Sequence, residues 1–323
     1  MRVVITGGGG FIGQKLAKRL AADGRLCGRP ISSLVLFDMA APPVPAGSPF
    51  PIEAMAGDIA DPAGVARLFA GGADAVYHLA AVVSGAAEAD FDLGYRVNLD
   101  GTRRVLEACR TRATGGPTRL VFAASCAAFG GGSGVVVRDD TVPRPQTSYG
   151  TQKVIGEYLV NDYSRKGHVD GRSLRLPTIA IRPGAPNAAA SGFVSSIVRE
   201  PLQGRPAVCP VEPETEAWVL SPRRLVDALV RAVELPAEAW GGDRTVNLPG
   251  LTVSVAQQLD ALRRAGGDTA VQRVRFEPDA RVRAIVDTWP TRYETVRGTA
   301  LGFERDADVD AIVQAFVADD LAG

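Results

Sequence analysis

The chain has 323 residues and a mass of 33.9 kDa, enough for about two domains of ordinary size. With 46% hydrophobic and 22% charged residues it is not a disordered chain, and 36 basic against 36 acidic residues leave no net charge to draw it toward nucleic acid or anionic lipid. Cysteines 27, 109, 126 and 209 form no CxxC pair, and His78 and His168 form no HExxH, so neither a disulfide framework nor a metal site is expected and a reducing, cytoplasmic setting is.

Met1 leads at once into a strand and then glycines, which predicts no secretory signal. Val3–Thr6 reads as that strand, followed by the loop Thr6-Gly7-Gly8-Gly9-Gly10-Phe11-Ile12-Gly13 and a helix over 10–22. A second strand, Ser33–Phe37, ends at Asp38, and a third short run precedes Gly57-Asp58-Ile59. A helix over Pro62–Ala70, a strand over Ala75–Leu79, a helix over Leu99–Arg112 and a strand over Arg119–Ala123 come next. A helix over Tyr149–Lys166 and a strand over Gly171–Leu176 complete the pattern. Apolar, non-alternating strands separated by helices imply a parallel sheet covered on both faces. With right-handed crossovers, that is an α/β doubly wound Rossmann fold. The uncharged run Leu120–Val137 is long enough to mark a membrane span. Ser125, Cys126, Ser133 and its glycines instead make it a strand followed by a loop.

Beyond Leu176 the alternation loosens at Pro177, Pro183 and Pro186 and through the proline-rich stretch 200–213. Residues 1–176 are therefore expected to form a nucleotide-binding domain, and 177–323 mostly a smaller substrate domain. Roughly 218–250, with a helix over 220–234 and a strand near 245–248, is expected to return to the first domain.

The glycine loop suits a tight turn, a backbone bare enough for pyrophosphate to approach a helix N-terminus, and close helix–strand packing. Gly7, Gly10 and Gly13 would serve these in turn, with Phe11 and Ile12 in the opening helical turn. Asp38, 25 residues past Gly13, can accept hydrogen bonds from both ribose hydroxyls of an adenosine and would repel a 2′-phosphate, favouring NAD over NADP. Asp58, with Ile59, could hold the adenine edge.

Tyr149 and Lys153 are four residues apart at a helix start, so phenol and ammonium share one helix face. The lysine charge favours the phenolate, and Tyr149 can take the proton of a substrate hydroxyl while hydride leaves the same carbon. Ser125, at a strand end 24 residues before Tyr149, can hold the same oxygen.

TGGGGFIG, Asp38, GDI, HLAA (78–81), NLDGT (98–102), FAASCAAFG and YGTQK together resemble the extended short-chain dehydrogenase/reductase (NAD-dependent epimerase/dehydratase) superfamily over about the first 180 residues. The resemblance implies that Ser125, Tyr149 and Lys153 form the catalytic triad. It also implies that Val82, Val83 and Asn98 line the nicotinamide end of NAD, with Pro177 beside it, and that Leu79, Ala80 and Ala81 are among the other cofactor-binding residues. His78 is implied to be structural, and the chain to pair as a homodimer through its 99–112 and 149–166 helices.

Within the superfamily, dehydratases carry Asp-Glu after the serine, where this chain has Cys126-Ala127-Ala128. Epimerases carry an arginine ahead of a His-Val-x-Asp segment, where it has Ala217–Arg224. The segments LRLPTIAIRPGAPNAAASGF, REPLQGRPAVCPV, WVLSPRR and DTWP resemble instead members that oxidise the C2 hydroxyl of a four-carbon sugar acid with NAD. A hydroxy acid needs a cation for its carboxylate: Arg182 first, Arg223 second, each alternatively a salt-bridged surface arginine. Ser84, Thr178 and Asn187 are candidates for the substrate hydroxyls. Cys126 is a candidate for the pocket wall, with nothing adjacent to activate it. A nucleotide-sugar 4-epimerase, a threonine dehydrogenase-like enzyme and a non-catalytic NAD sensor remain the alternatives.

Overall fold

The computed structural model describes residues 1–111, 115–184 and 190–321. The chain divides into two compact units. One comprises 1–125, 147–175 and 226–246, the other 126–146, 176–225 and 247–323.

The first unit is built on a seven-stranded sheet. Its strands are β1 (Arg2–Thr6), β2 (Ser33–Asp38), β3 (Ile52–Ala56), β4 (Ala75–His78), β5 (Thr118–Ser125), β6 (Val169–Leu176) and β7 (Thr245–Asn247). They lie in the order β7-β6-β5-β4-β1-β2-β3, and the pairings from β3 through to β5 are parallel. Val3, Val4, Ile5, Leu34, Leu36, Ala75, Val76, Leu120 and Val121 are wholly inaccessible, as strands covered on both faces require. Sequence order reverses between β1 and β4, so the segments after Thr6 and after His78 leave the sheet side by side at a topological switch point.

Four helices of this unit are α1 (Phe11–Asp23), α2 (Pro62–Leu68), α3 (Thr102–Thr111) and α4 (Ser148–Arg165). Gly24 ends α1 in the left-handed region, where a Cβ is unfavourable. Asp61 caps α2 ahead of Pro62, and the Thr147 hydroxyl caps α4 by accepting from the Gly150 N–H.

One expectation needs correction. The helix placed at 99–112 begins upstream, as short helices Ser84–Ala89 and Phe91–Gly94 running into a π-helical segment, Tyr95–Gly101, and then α3. Periodicity could not find it, because an i→i+5 segment carries no 3.6-residue pattern; Arg112 lies outside the described residues. Residues 226–246 belong to the first unit, and Thr245–Asn247 forms the β7 edge of the sheet.

In the second unit, Thr178–Ile179, Glu216–Leu220 and Leu251–Ser254 form a small sheet. Helices Phe193–Leu202, Val255–Val271 and Val309–Phe316 surround a core that includes Val194, Ile197, Val219, Leu262 and Phe316. Ser254 and Gln257 close a capping box at the start of the second of these helices. Val136–Val137 pairs in parallel with Arg292–Tyr293, after the loop that the glycines of 130–134 predict. Among the described residues no helix is long and apolar enough to cross a membrane.

Candidate active site

The glycine loop turns out of β1 with Gly7 at φ +76°. A Cβ there would lie 2.7 Å from the Ala80 nitrogen, so glycine is required both by the turn and by the neighbouring segment. A Cβ on Gly13 would drive into the Gly7 carbonyl, so α1 sits hard against the loop. Gly10 caps α1 with no side-chain hydrogen bond. The first N–H groups of a 13-residue helix are thus left without a side-chain acceptor, the arrangement that receives a phosphate. Phe11 and Ile12 are half-buried in that opening turn.

Asp38 ends β2 beside the loop. Its Oδ2 accepts from the Gly9 N–H at 2.9 Å and its Oδ1 from the Met39 N–H at 2.8 Å, which fixes the carboxylate while leaving lone pairs for a diol. Asp58 accepts from the Ala60 N–H at 2.8 Å and pairs with Arg96 at 3.0 Å. Ile59 is buried, and a Cβ on Gly101 would come within 2.9 Å of its Cγ2.

Ser125 is the last residue of β5 and Tyr149 the second of α4. Lys153 connects the two elements. Its Nζ donates to the Ala123 carbonyl at 2.8 Å and lies 5.5 Å from the centre of the Tyr149 ring and 4.8 Å from that of Phe122. Burial pushes the Lys153 ammonium down to about 8, against the pull of Glu157 one turn further along α4. The buried Glu157 carboxylate is itself raised by desolvation, with Arg175 opposing through a two-pronged pair at 2.9 and 2.7 Å.

Behind β4 runs a buried chain of hydrogen bonds. Thr102 Oγ1 donates to the Asn98 carbonyl at 2.6 Å, so its contact with His78 Nε2 at 2.9 Å must have the imidazole donating. His78 Nδ1 is then an acceptor, and Thr6 Oγ1 donates to it at 2.7 Å. Burial, helped by the Lys153 charge, pushes His78 down to about 3. Both imidazole nitrogens are thus bonded within the protein, and the ring is buried. Asn98 holds the loop after HLAA. The Val82 N–H donates to its Oδ1 at 2.8 Å, and its Nδ2 donates to the Val82 carbonyl at 3.0 Å and to Gln152 Oε1 at 2.8 Å. Leu79 and Ala80 leave β4 under Thr6, through N–H groups 3.1 Å from the Thr6 carbonyl and 3.5 Å from its hydroxyl. Ala81 is half-buried beside them, Val83 caps the next helix and Ser84 begins it. Sequence reasoning assigned no role to Thr6, Thr102 or Gln152, although they fall inside TGGGGFIG, NLDGT and YGTQK.

The other candidates lie in the second unit. Cys126 opens a 3-10 turn, Pro177 is buried, and Thr178 begins a two-residue strand. Arg182 donates from Nη2 to the Ser191 carbonyl and hydroxyl, both at 3.0 Å, while its own carbonyl accepts from the buried Arg199 at 2.6 Å. Arg223 is half exposed and pairs with Asp319 at 3.1 and 2.6 Å. Asn187 lies outside the described residues.

The NAD dependent epimerase/dehydratase family model matches residues 3–242. A D-erythronate dehydrogenase of Cupriavidus necator is 51% identical over 323 residues, covering 99% of this chain and 98% of the relative. One of Haemophilus influenzae is 44% identical over 321 residues, covering 99% and 100%. The crystal structure of a protein described as a nucleoside-diphosphate-sugar epimerase from Agrobacterium tumefaciens superposes with a TM-score of 0.95 at 42% identity, over 100% of this chain and 95% of that one. The glycine cradle at the switch point, the Tyr149–Lys153 pair and these matches agree: the chain belongs to the NAD-dependent epimerase/dehydratase family, within the extended short-chain dehydrogenase/reductase superfamily.

Proposed function

We propose that the protein is an NAD-dependent dehydrogenase that oxidises the C2 hydroxyl of a small sugar acid, D-erythronate, to 2-dehydro-D-erythronate. Family membership carries the coarser statement, an NAD-dependent oxidoreductase acting on a small-molecule alcohol. The observation that carries the finer one is the pair of D-erythronate dehydrogenases matched over nearly their whole lengths. The residues fit NAD. The bare turn at Gly7, the uncapped start of α1 and the fixed Asp38 carboxylate suit a pyrophosphate and an adenosine ribose. The Leu79–Val83 loop and Asn98 would take the nicotinamide end, and Asp58 and Ile59 the adenine.

Bound there, NAD supplies the hydride acceptor. The chain supplies the rest. Ser125 and Tyr149 hold the substrate hydroxyl, and Tyr149 takes its proton as the C–H bond breaks. Lys153, tied to Ala123, offsets the phenolate charge and holds the nicotinamide ribose. The phenol passes that proton on to solvent before the next turnover, so the net products are ketone, NADH and one proton.

The Agrobacterium protein's description favours one other reading, a nucleotide-sugar epimerase. An epimerase regenerates its NAD and releases no net NADH. Incubating purified protein and NAD with a panel of aldonic acids, and separately with nucleotide sugars, distinguishes them. NADH accumulation with D-erythronate is expected. Sugar interconversion without NADH, and silence toward every aldonic acid, would overturn the dehydrogenase.

A further inference from the structure

Gln152 stands between Tyr149 and Lys153 on α4 and is wholly buried. Its hydrogen bonding is one-sided. Oε1 accepts from Asn98 Nδ2 at 2.8 Å, while Nε2 is buried with no partner. The orientation follows from Val82. That residue presents one N–H and one carbonyl, so the Asn98 amide can sit only with Oδ1 toward the former and Nδ2 toward the latter. The second hydrogen on Nδ2 then needs an acceptor, and Gln152 Oε1 provides it. Turning the Gln152 amide over would set donor against donor.

An unpartnered Nε2 is a cost in a buried setting. Leucine or methionine would fill the same space without that penalty. What position 152 contributes is therefore the oxygen rather than bulk. Residue 94 is shaped to match: a Cβ there would fall 2.6 Å from Gln152 Nε2 and 3.2 Å from Oε1, and glycine leaves the space open.

We infer that Gln152 is a positioning residue for the hydride acceptor: through Asn98 it locks the Val82 backbone, and with it the Ala81–Val83 loop, to the helix that carries Tyr149 and Lys153. The inference rests on the proposed function, in which that loop takes the nicotinamide end. Its consequence is selective. Losing the Gln152 oxygen should disturb the nicotinamide end of NAD and leave the adenosine end, held at Gly7–Gly13 and Asp38, as it was.

The test compares NAD with ADP-ribose, which lacks the nicotinamide, by calorimetric titration of the wild type, Gln152→Met and Gly94→Ala. The methyl of Gly94→Ala displaces the Gln152 carboxamide without altering Asn98 and provides a second variant if Gln152→Met does not fold. Either variant is expected to bind ADP-ribose as the wild type does. It should bind NAD about tenfold more weakly and turn over about tenfold more slowly, the scale of one lost hydrogen bond. Hydride transfer should become more rate-limiting, seen as a larger isotope effect with C2-deuterated substrate. A folded variant with wild-type NAD affinity and turnover, or one that loses ADP-ribose and NAD equally, would overturn the inference. Wild-type protein that binds neither ligand would instead overturn the NAD reading beneath it.

Discussion

Lys153 Nζ donates to the carbonyl of Ala123 at 2.8 Å, so the ammonium next to the Tyr149 ring is anchored to the strand that ends two residues later in Ser125. Strand and helix are joined by this bond and by the close approach of Gly156 to the Phe122 ring. The bond also explains why a lysine is tolerated there: a desolvated ammonium needs an acceptor, and a backbone carbonyl cannot be lost by mutation.

Removing only the Tyr149 hydroxyl tests the chemistry directly. Tyr149→Phe should lower turnover about 10²–10⁴-fold, the range of a lost general base, with NAD affinity close to wild type. Paired measurements of NADH release and NAD binding decide it; unchanged turnover would remove Tyr149 from the mechanism.

Lys153 predicts a pH-dependent stability with a definite sign. Its folded value of about 8 lies below the ordinary 10.5, so the unfolded chain holds the proton more tightly between those limits. The stability associated with a neutral Lys153 is present in full above 10.5 and lost as the pH falls through 8. Thermal melts of wild type and Lys153→Met without cofactor, from pH 7 to 10, should therefore converge as the pH rises. The gap at pH 7 should be no more than about 3 kcal/mol in the variant's favour. Parallel curves would show that the ammonium carries no such penalty.

His78 should stay neutral throughout the physiological range. With its value pushed to about 3, the stability gained from the neutral ring is present above the ordinary 6.5 and lost as the pH falls toward 3. Nitrogen NMR of labelled protein should show an unchanging tautomer with hydrogen on Nε2 from pH 8 down to pH 5. Protonation within that interval would contradict the bonding to Thr6 and Thr102.

Asp38 should govern the choice of dinucleotide. On the proposed function Asp38→Ala removes the acceptor for the ribose hydroxyls, and should weaken NAD about tenfold or more, as for a hydrogen bond to a charged group. It also removes the carboxylate that repels a 2′-phosphate, so the ratio of kcat/KM for NAD over NADP should fall. A ratio that stays put would place ribose recognition elsewhere.

The strand–helix alternation and the glycine loop were legible because both depend on short-range rules: apolar runs for buried strands, and absent side chains where backbones touch. The Ser125, Tyr149 and Lys153 positions could be named from spacing and resemblance, and the structure puts Lys153 within reach of both elements involved. The π-helical segment at 95–101 was not legible, since nothing in a hydrophobic pattern marks an i→i+5 register. Nor was the pairing of Arg223 with Asp319, 96 residues away, because a surface arginine finds its carboxylate only once the chain is folded. Gln152 stood in a motif position that allows any residue. Its role depends on Asn98 and Gly94, which only the fold brings to it.

The chain leaves the sheet-bearing unit directly after Ser125 and re-enters it at Thr147, two residues ahead of Tyr149. The stretch 126–146 is therefore an excursion whose two ends are pinned by β5 and by the Thr147 cap of α4. The detour is also tied partway along, where Val136–Val137 pairs with Arg292–Tyr293, so one unit holds Ser125 and Tyr149 while residues 126–146 between them are built into the other.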